Sequence, residues 1–170
     1  DQYNFTDPES RIMKTNNGFN QCYNAQIATN EEMIIVGNYA NAHHNDKQEF
    51  LPTMESIPEE LKPQITSAVA DTGYYSQQNI ENCPQNITPI IAKSKEKHNN
   101  YLEEILNPSN DKEKEIYRKR KHTVEPVFGI IKEVLGFRRF SLRGEKNIDD
   151  EWGLVCLAYN LKRMFNLKTG

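Results

Sequence analysis

YRKRKHTVEPVFGIIKEVLGFRRF, residues 117–140, is the stretch on which the reading of this chain turns. Its pattern predicts one helix over about 111–135, closed by Gly136. A single acid, Glu125, stands among bases near the middle. Residues three, four and seven apart share a helix face, so Glu125 is expected on a stripe with Arg118, Lys121, Phe128, Gly129 and Lys132. Block 111–146 holds eleven Lys and Arg against six Asp and Glu, a local +5 in a chain whose total is −3. A carboxylate set into a basic helix suits work beside a polyanion. The plainer alternative is a solvated basic helix whose Glu makes ordinary intrahelical ion pairs.

The remaining residues carry the opposite balance, −8, which excludes a uniformly basic nucleic-acid coat and leaves one local basic patch. A length of 170 residues, 36% hydrophobic with a mean hydropathy of −0.80, suits one polar domain with a core. Cys22, Cys83 and Cys156 are odd in number and far apart, so neither a disulfide framework nor a zinc site is indicated. His43 and His44 followed by Asp46 form the only other metal-like grouping, and two adjacent histidines in a polar loop read as solvated. No apolar run reaches the ~18 residues of a membrane span. The start, DQYNFTDPES, is polar and acidic, unlike a signal peptide. A chain opening on Asp rather than Met is expected to be part of something longer.

Upstream of the decisive stretch, residues 1–20 read as an extended lead-in with turns at Asp7-Pro8 and Asn17-Gly18. QCYNAQIAT (21–29) alternates as a strand, Asn30-Glu31 turns, and MIIVGNYA (33–40) returns as a second strand, predicting an antiparallel hairpin. Asp46 is expected to cap a helix carrying Phe50, Leu51 and Met54, with Pro52 tolerable only near its start. TSAVA (66–70) is a short strand ended by Asp71. Ser76 caps a helix to about 82, and ITPIIA (87–92) is a strand whose Pro89 marks it as peripheral or bulged. Residues 93–110 read as a charged loop with a turn or two of helix at 101–106. After a basic connector at 137–147, an amphipathic helix is expected over 149–167. Strands alternating with helices give a mixed α/β layer fold.

A strand ending in Asp-x-Gly puts its carboxylate at the carboxyl edge of the sheet, where open α/β sheets bind ligands. Asp71 and Glu125 are therefore the pair to weigh. Two carboxylates can share Mg²⁺, which completes its shell with water and phosphate oxygens. Spacing alone does not bring the two together.

The segments ADTGYYSQQNI (70–80) and YRKRKHTVEPVFGIIKEVLGFRRFSLRG (117–144) resemble the DDE-type transposases of bacterial insertion sequences. TDPESRIMK (6–14), GFNQCYNAQIA (18–28) and EWGLVCLAYNL (151–161) are similar to further stretches of that branch, so the likeness covers nearly the whole chain. It implies a ribonuclease-H-like mixed sheet flanked by helices, lacking its first strand. Residues 1–170 would form a partial DDE catalytic domain, with lead-in 1–20, sheet region 21–93 and C-terminal helices 111–167. Asp71 would be the second catalytic acid and Glu125 the third, both ligands of Mg²⁺, for which Mn²⁺ can substitute. Arg118, Arg120, Lys121, Lys132, Arg138 and Arg139 would bind DNA, with Tyr117 part of the same helical signature.

Two residues depart from the pattern. Lys121 stands where relatives often carry Arg, a point charge in place of a bidentate fork, and Cys22 stands where Gly is expected. The first acid lies upstream in the family. Asp7 is the only early candidate here, and Asp46 reads as a cap or a support. The implied activity is metal-dependent cleavage and strand transfer at transposon ends and target DNA. A homodimer in the full-length enzyme, a cytoplasmic location without membrane contact, and inactivity of this stretch alone are further expectations. A ribonuclease-H-like nuclease and an inactive DNA-binding remnant are the alternatives.

Overall fold

The computed structural model describes residues 3–15, 18–92, 111–119 and 122–169. The expected loop at 93–110 lies outside them, as do Arg120 and Lys121. The lead-in is not simply extended. Its alternating RIMKT forms β1 (Arg11–Thr15), which pairs antiparallel with β2 (Gly18–Cys22). Gly18 supports the reversal with φ +100°, a conformation other residues rarely adopt. The strand expected over 21–29 is accordingly split at Tyr23 into the end of β2 and β3 (Asn24–Thr29).

β3 pairs antiparallel with β4 (Ile35–Asn41), as the hairpin reading required. Asn30 builds the turn: its Oδ1 accepts from Glu32 N at 3.0 Å and Ile34 N at 2.9 Å, while Met33 takes φ +60°. Helix α1 (Phe50–Glu55) follows, with Pro52 in its first turn. The cap on the 3-10 turn leading into it is Asn45, which accepts from Lys47 N at 3.0 Å; Asp46 does not cap. The end of α1 closes on β4 at Gly37, where a Cβ would lie 2.7 Å from Ser56 Oγ and 2.8 Å from Ile57 Cγ1.

β5 (Ser67–Ala70) and β6 (Thr88–Ile91) are parallel, joined through α2 (Gln77–Glu81), whose cap is Ser76. Pro89 sits on β6, opposite Ala68, and its missing N–H costs no ladder bond on an outer strand. The described strands thus form three two-stranded ladders, rather than the one mixed sheet expected.

The helix expected over 111–135 is broken. α3 covers Asp111–Lys119, Thr123 stands in a turn, and α4 (Val124–Gly129) starts anew, continued by a π turn over Ile130–Val134. Pro126 explains the break: in a continuous helix its ring would clash with the carbonyl of His122 and one hydrogen bond would be lost. Gly136, φ +74°, ends the segment as expected, and Phe137 N donates back to Ile131 O at 3.0 Å. Phe137 and Phe140 then turn inward onto Trp152, with centroids 6.1 and 6.3 Å away, leaving Arg138 and Arg139 exposed between them.

α5 (Glu145–Thr169) lays Ile148, Trp152, Cys156 and Tyr159 into the first of two cores, with Ile27, Ile35, Val127 and Ile131. Its polar side chains also serve the open edge of β4 and the turn before it. Asp149 Oδ1 accepts from Ala40 N at 2.8 Å, Asn160 bonds both N and O of Ile35, and Tyr159 Oη donates to Met33 O. That covering answers the liability of an edge strand. The second core is smaller and holds Phe50, Ala68, Cys83, Ile87 and Ile91. Among the described residues, no helix is long and apolar enough to cross a membrane.

Candidate active-site cleft

The two cores are separated by a cleft of about 630 Å³. Ile27, Ala28 and Thr29 of β3 form one wall, residues 66–71 of β5 and its flanks another, and Val124, Glu125 and Phe128 of α4 close one side. Thr29 Oγ1 is buried there without a hydrogen-bond partner among the described residues. Asp71 and Glu125 both line this cleft.

Asp71 follows β5 directly, and its position is fixed by its own turn. Its Oδ1 accepts from Gly73 N at 2.8 Å, capping the 3-10 turn Thr72–Tyr74. Glu125 sits in the first turn of α4, exposed, where the unpaired N–H groups of a helix start favour an anion. The break before α4 also changes its neighbours: Arg118 belongs to a different helix, so the unbroken stripe expected on one face is not formed. Lys132 remains on the same segment, with Nζ 5.8 Å from the centre of the Phe128 ring.

Among the described residues, the base that α3 brings to the cleft is Lys119. Sequence reasoning passed it over because on a continuous helix it faces away from Glu125. Arg118, Lys132 and Arg139 are exposed, and Arg138 is exposed and paired with Glu133 at 2.5 Å.

Asp46 is the other residue that sequence reasoning undervalued. Its Oδ1 accepts from Asn24 Nδ2 at 2.8 Å and Gln26 Nε2 at 3.1 Å. A Cβ built on Gly73 would lie 3.0 Å from Asp71 Oδ1 and 3.6 Å from Asp46 Oδ2, so both carboxylates approach the same glycine. Tyr74 joins them: its hydroxyl donates to Gln26 Oε1, and Asn79 Nδ2 donates to both Tyr74 O and Lys47 O. Burial, and then the charges of Asp46 and Asp71, push the Tyr74 phenol well above its ordinary value, so it stays a donor. Polar side chains thus lash the β5 turn to the β3 hairpin across the end of the cleft. The signal was in the sequence as Gln26 and Asn24, which share the less apolar face of the first predicted strand.

Asp7 is committed elsewhere. It accepts from Tyr23 Oη at 2.7 Å and from Gly144 N at 3.2 Å, while Glu9 accepts from Glu145 N at 2.5 Å. Both acids of the TDPES segment therefore bond the start of α5. His43 Nδ1 meets the buried carboxylate of Glu49 at 2.9 Å, and Asn41 donates to that same group. Among the described residues no three His, Cys, Asp or Glu side chains converge as a metal cage. The donors that line the cleft are carboxylate oxygens, hard ligands of the kind that suit Mg²⁺ with water and phosphate completing the shell.

The family model described as "Transposase DDE domain" matches residues 4–161. Neither the curated proteins nor the solved structures gave a match.

Proposed function

The chain belongs to the transposase DDE domain family, and from that premise we propose that its cleft cleaves DNA phosphodiesters and joins the ends to target DNA. The observation that carries this reading is that Asp71 and Glu125, 54 positions apart, line one cleft together with the base Lys119. Asp71 and Glu125 would hold a divalent ion, Mg²⁺ or Mn²⁺. Bound there, such an ion supplies Lewis-acid activation of the phosphodiester and of the hydroxyl that attacks it. Lys119, Arg118 and Lys132 hold backbone phosphates in register without reading sequence. Arg139, beside Phe140, extends the same basic rim, and Arg120 and Lys121 belong to it by sequence. The Gln26–Asp46–Tyr74 network keeps the Asp71 turn at a fixed distance from β3. Partners are DNA and a second copy of the chain, in the cytoplasm.

In this proposal the cleft also receives a strand. Among the described residues it runs between an unladdered edge of β3 and that of β5, and the buried Thr29 hydroxyl faces no partner. An extended segment seated there would complete a ribonuclease-H-like sheet and could bring the first acid beside Asp71.

The test is plasmid nicking and strand transfer in Mg²⁺ or Mn²⁺, by these 170 residues and by a chain extended upstream through the next Asp-bearing strand. The extended chain is expected to act, and to lose activity with Asp71→Asn or Glu125→Gln. The shorter one is expected to bind DNA weakly, with an affinity that falls steeply with salt. A folded extended chain that neither nicks nor joins, or whose activity survives Glu125→Gln, removes the assignment.

A further inference from the structure

α5 has a second apolar face that the fold leaves uncovered. While Ile148, Trp152, Cys156 and Tyr159 are buried, Leu154, Leu157, Leu161 and Met164 are 54–68% exposed. Their spacing is 3, 4, 3, the repeat of a two-helix seam rather than of a single core-facing stripe. Charge along the helix is divided as well. Glu145, Asp149, Asp150 and Glu151, with the single base Lys146 among them, lie in its first two turns, and Lys162, Arg163 and Lys168 lie near its end.

We propose that this face is where a second copy of the chain docks, with the two α5 helices antiparallel. The register follows from the seam. Setting Leu154 against Met164 of the other copy sets Leu157 against Leu161, and the same register brings Asp150, exposed, against Lys168, also exposed. A parallel pair would instead oppose acid to acid and base to base. Antiparallel self-pairing is therefore the arrangement in which apolar layers and charges agree, and it repeats every contact by two-fold symmetry. From Asp150 to Lys168 the seam is about 27 Å long, at ~1.5 Å per residue. The proposal rests on the second-copy partner named above and assigns that partner its face. It is read without DNA, so it stands or fails apart from the nicking assay.

The experiment is sedimentation equilibrium of the 170-residue chain. Two heptads bury less than the ~800 Å² per partner of a standard interface, so loading extends to about 0.5 mM. A reversible dimer is expected. Leu157→Glu with Leu161→Glu should leave a monomer at every concentration and an unchanged thermal melt, because both side chains are exposed in the folded chain. Asp150→Lys or Lys168→Asp alone should weaken association roughly tenfold, since each dimer holds two such pairs and reversal turns attraction into repulsion. Combining the two should restore it to within about threefold on the same scale. A monomeric wild type overturns the proposal and leaves the face to a different partner. A dimer that survives the double Glu change, or a charge swap without recovery, overturns it equally.

Discussion

Asp46 and Asp71 both border Gly73, where a Cβ would press on Asp71 Oδ1 at 3.0 Å and meet Asp46 Oδ2 at an ordinary 3.6 Å. The two acids follow different strand pairs, Asp46 after β4 and Asp71 after β5, and the Gln26 amide that bonds Asp46 also receives the Tyr74 hydroxyl. Position at the Asp71 turn is thus set from two directions.

Gly73→Ala tests that arrangement. The added methyl would sit 3.0 Å from Asp71 Oδ1, so the carboxylate must retreat by a few tenths of an ångström. Global stability is expected to change by less than about 1 kcal/mol, because the residue is exposed. Mn²⁺ affinity, followed by isothermal calorimetry on a chain competent to bind it, should fall at least several-fold. Unchanged affinity would mean that Asp71 takes no part in holding the ion.

Gly37→Ala has the opposite signature. Ser56 Oγ, Ile57 Cγ1 and the Ile57 backbone N would lie 2.7, 2.8 and 3.3 Å from the new methyl. Backbone cannot swing aside as a side chain can, so the helix end must lift from β4. A loss of about 1–3 kcal/mol is expected in urea unfolding. A neutral result would show that α1 is not seated as described.

Pro126→Ala should allow α3 and α4 to fuse. Far-ultraviolet circular dichroism is expected to gain about one turn of helix, 3–4 residues, at the cost of the present α4 direction and of the phosphate-side geometry around Glu125. No gain in helicity would place the break on Thr123 and its packing instead.

Alkaline pH should unfold the protein ahead of most folds of this size. Burial, and then Glu49, raise the Tyr39 phenol, and burial followed by Asp46 and Asp71 raises Tyr74. A phenol whose folded pKa lies above its unfolded one contributes fully below the unfolded value. That contribution is lost as pH climbs above about 10 toward the folded value. Melting temperature should be level to about pH 9.5 and then drop, and a curve still level at pH 11 would contradict the partial burial of both rings.

The elements were legible where local chemistry decides them: the Asn30 turn, the Ser76 cap, Gly136 as a stop, and Pro89 on an outer strand all stand as the sequence reads. What the sequence hid was non-local. Asp46 and Asn45 are adjacent and chemically alike, and only the approach of Asn24 and Gln26 from β3 decides which one caps. The TDPES segment looks like a loose lead-in until the start of α5 is beside it. Pro126 was a local signal that the strong periodicity around it outweighed, and with the helix interrupted Lys119 is a described base that lines the cleft. How the strand pairs are arranged across the cleft depends on contacts that no periodicity encodes.

The bonds that seat α5 join residues far apart in the chain: Asp7 to Gly144, Gln26 to Trp152, Met33 to Tyr159 and Ile35 to Asn160. During synthesis the β3–β4 hairpin therefore emerges more than a hundred residues ahead of the helix that covers it. Loop closure over such a span is slow, and an uncovered strand edge meanwhile invites pairing with neighbouring chains. Translation speed through residues 41–144, and any holdase present on the ribosome, should accordingly govern how much of this polypeptide reaches its native state.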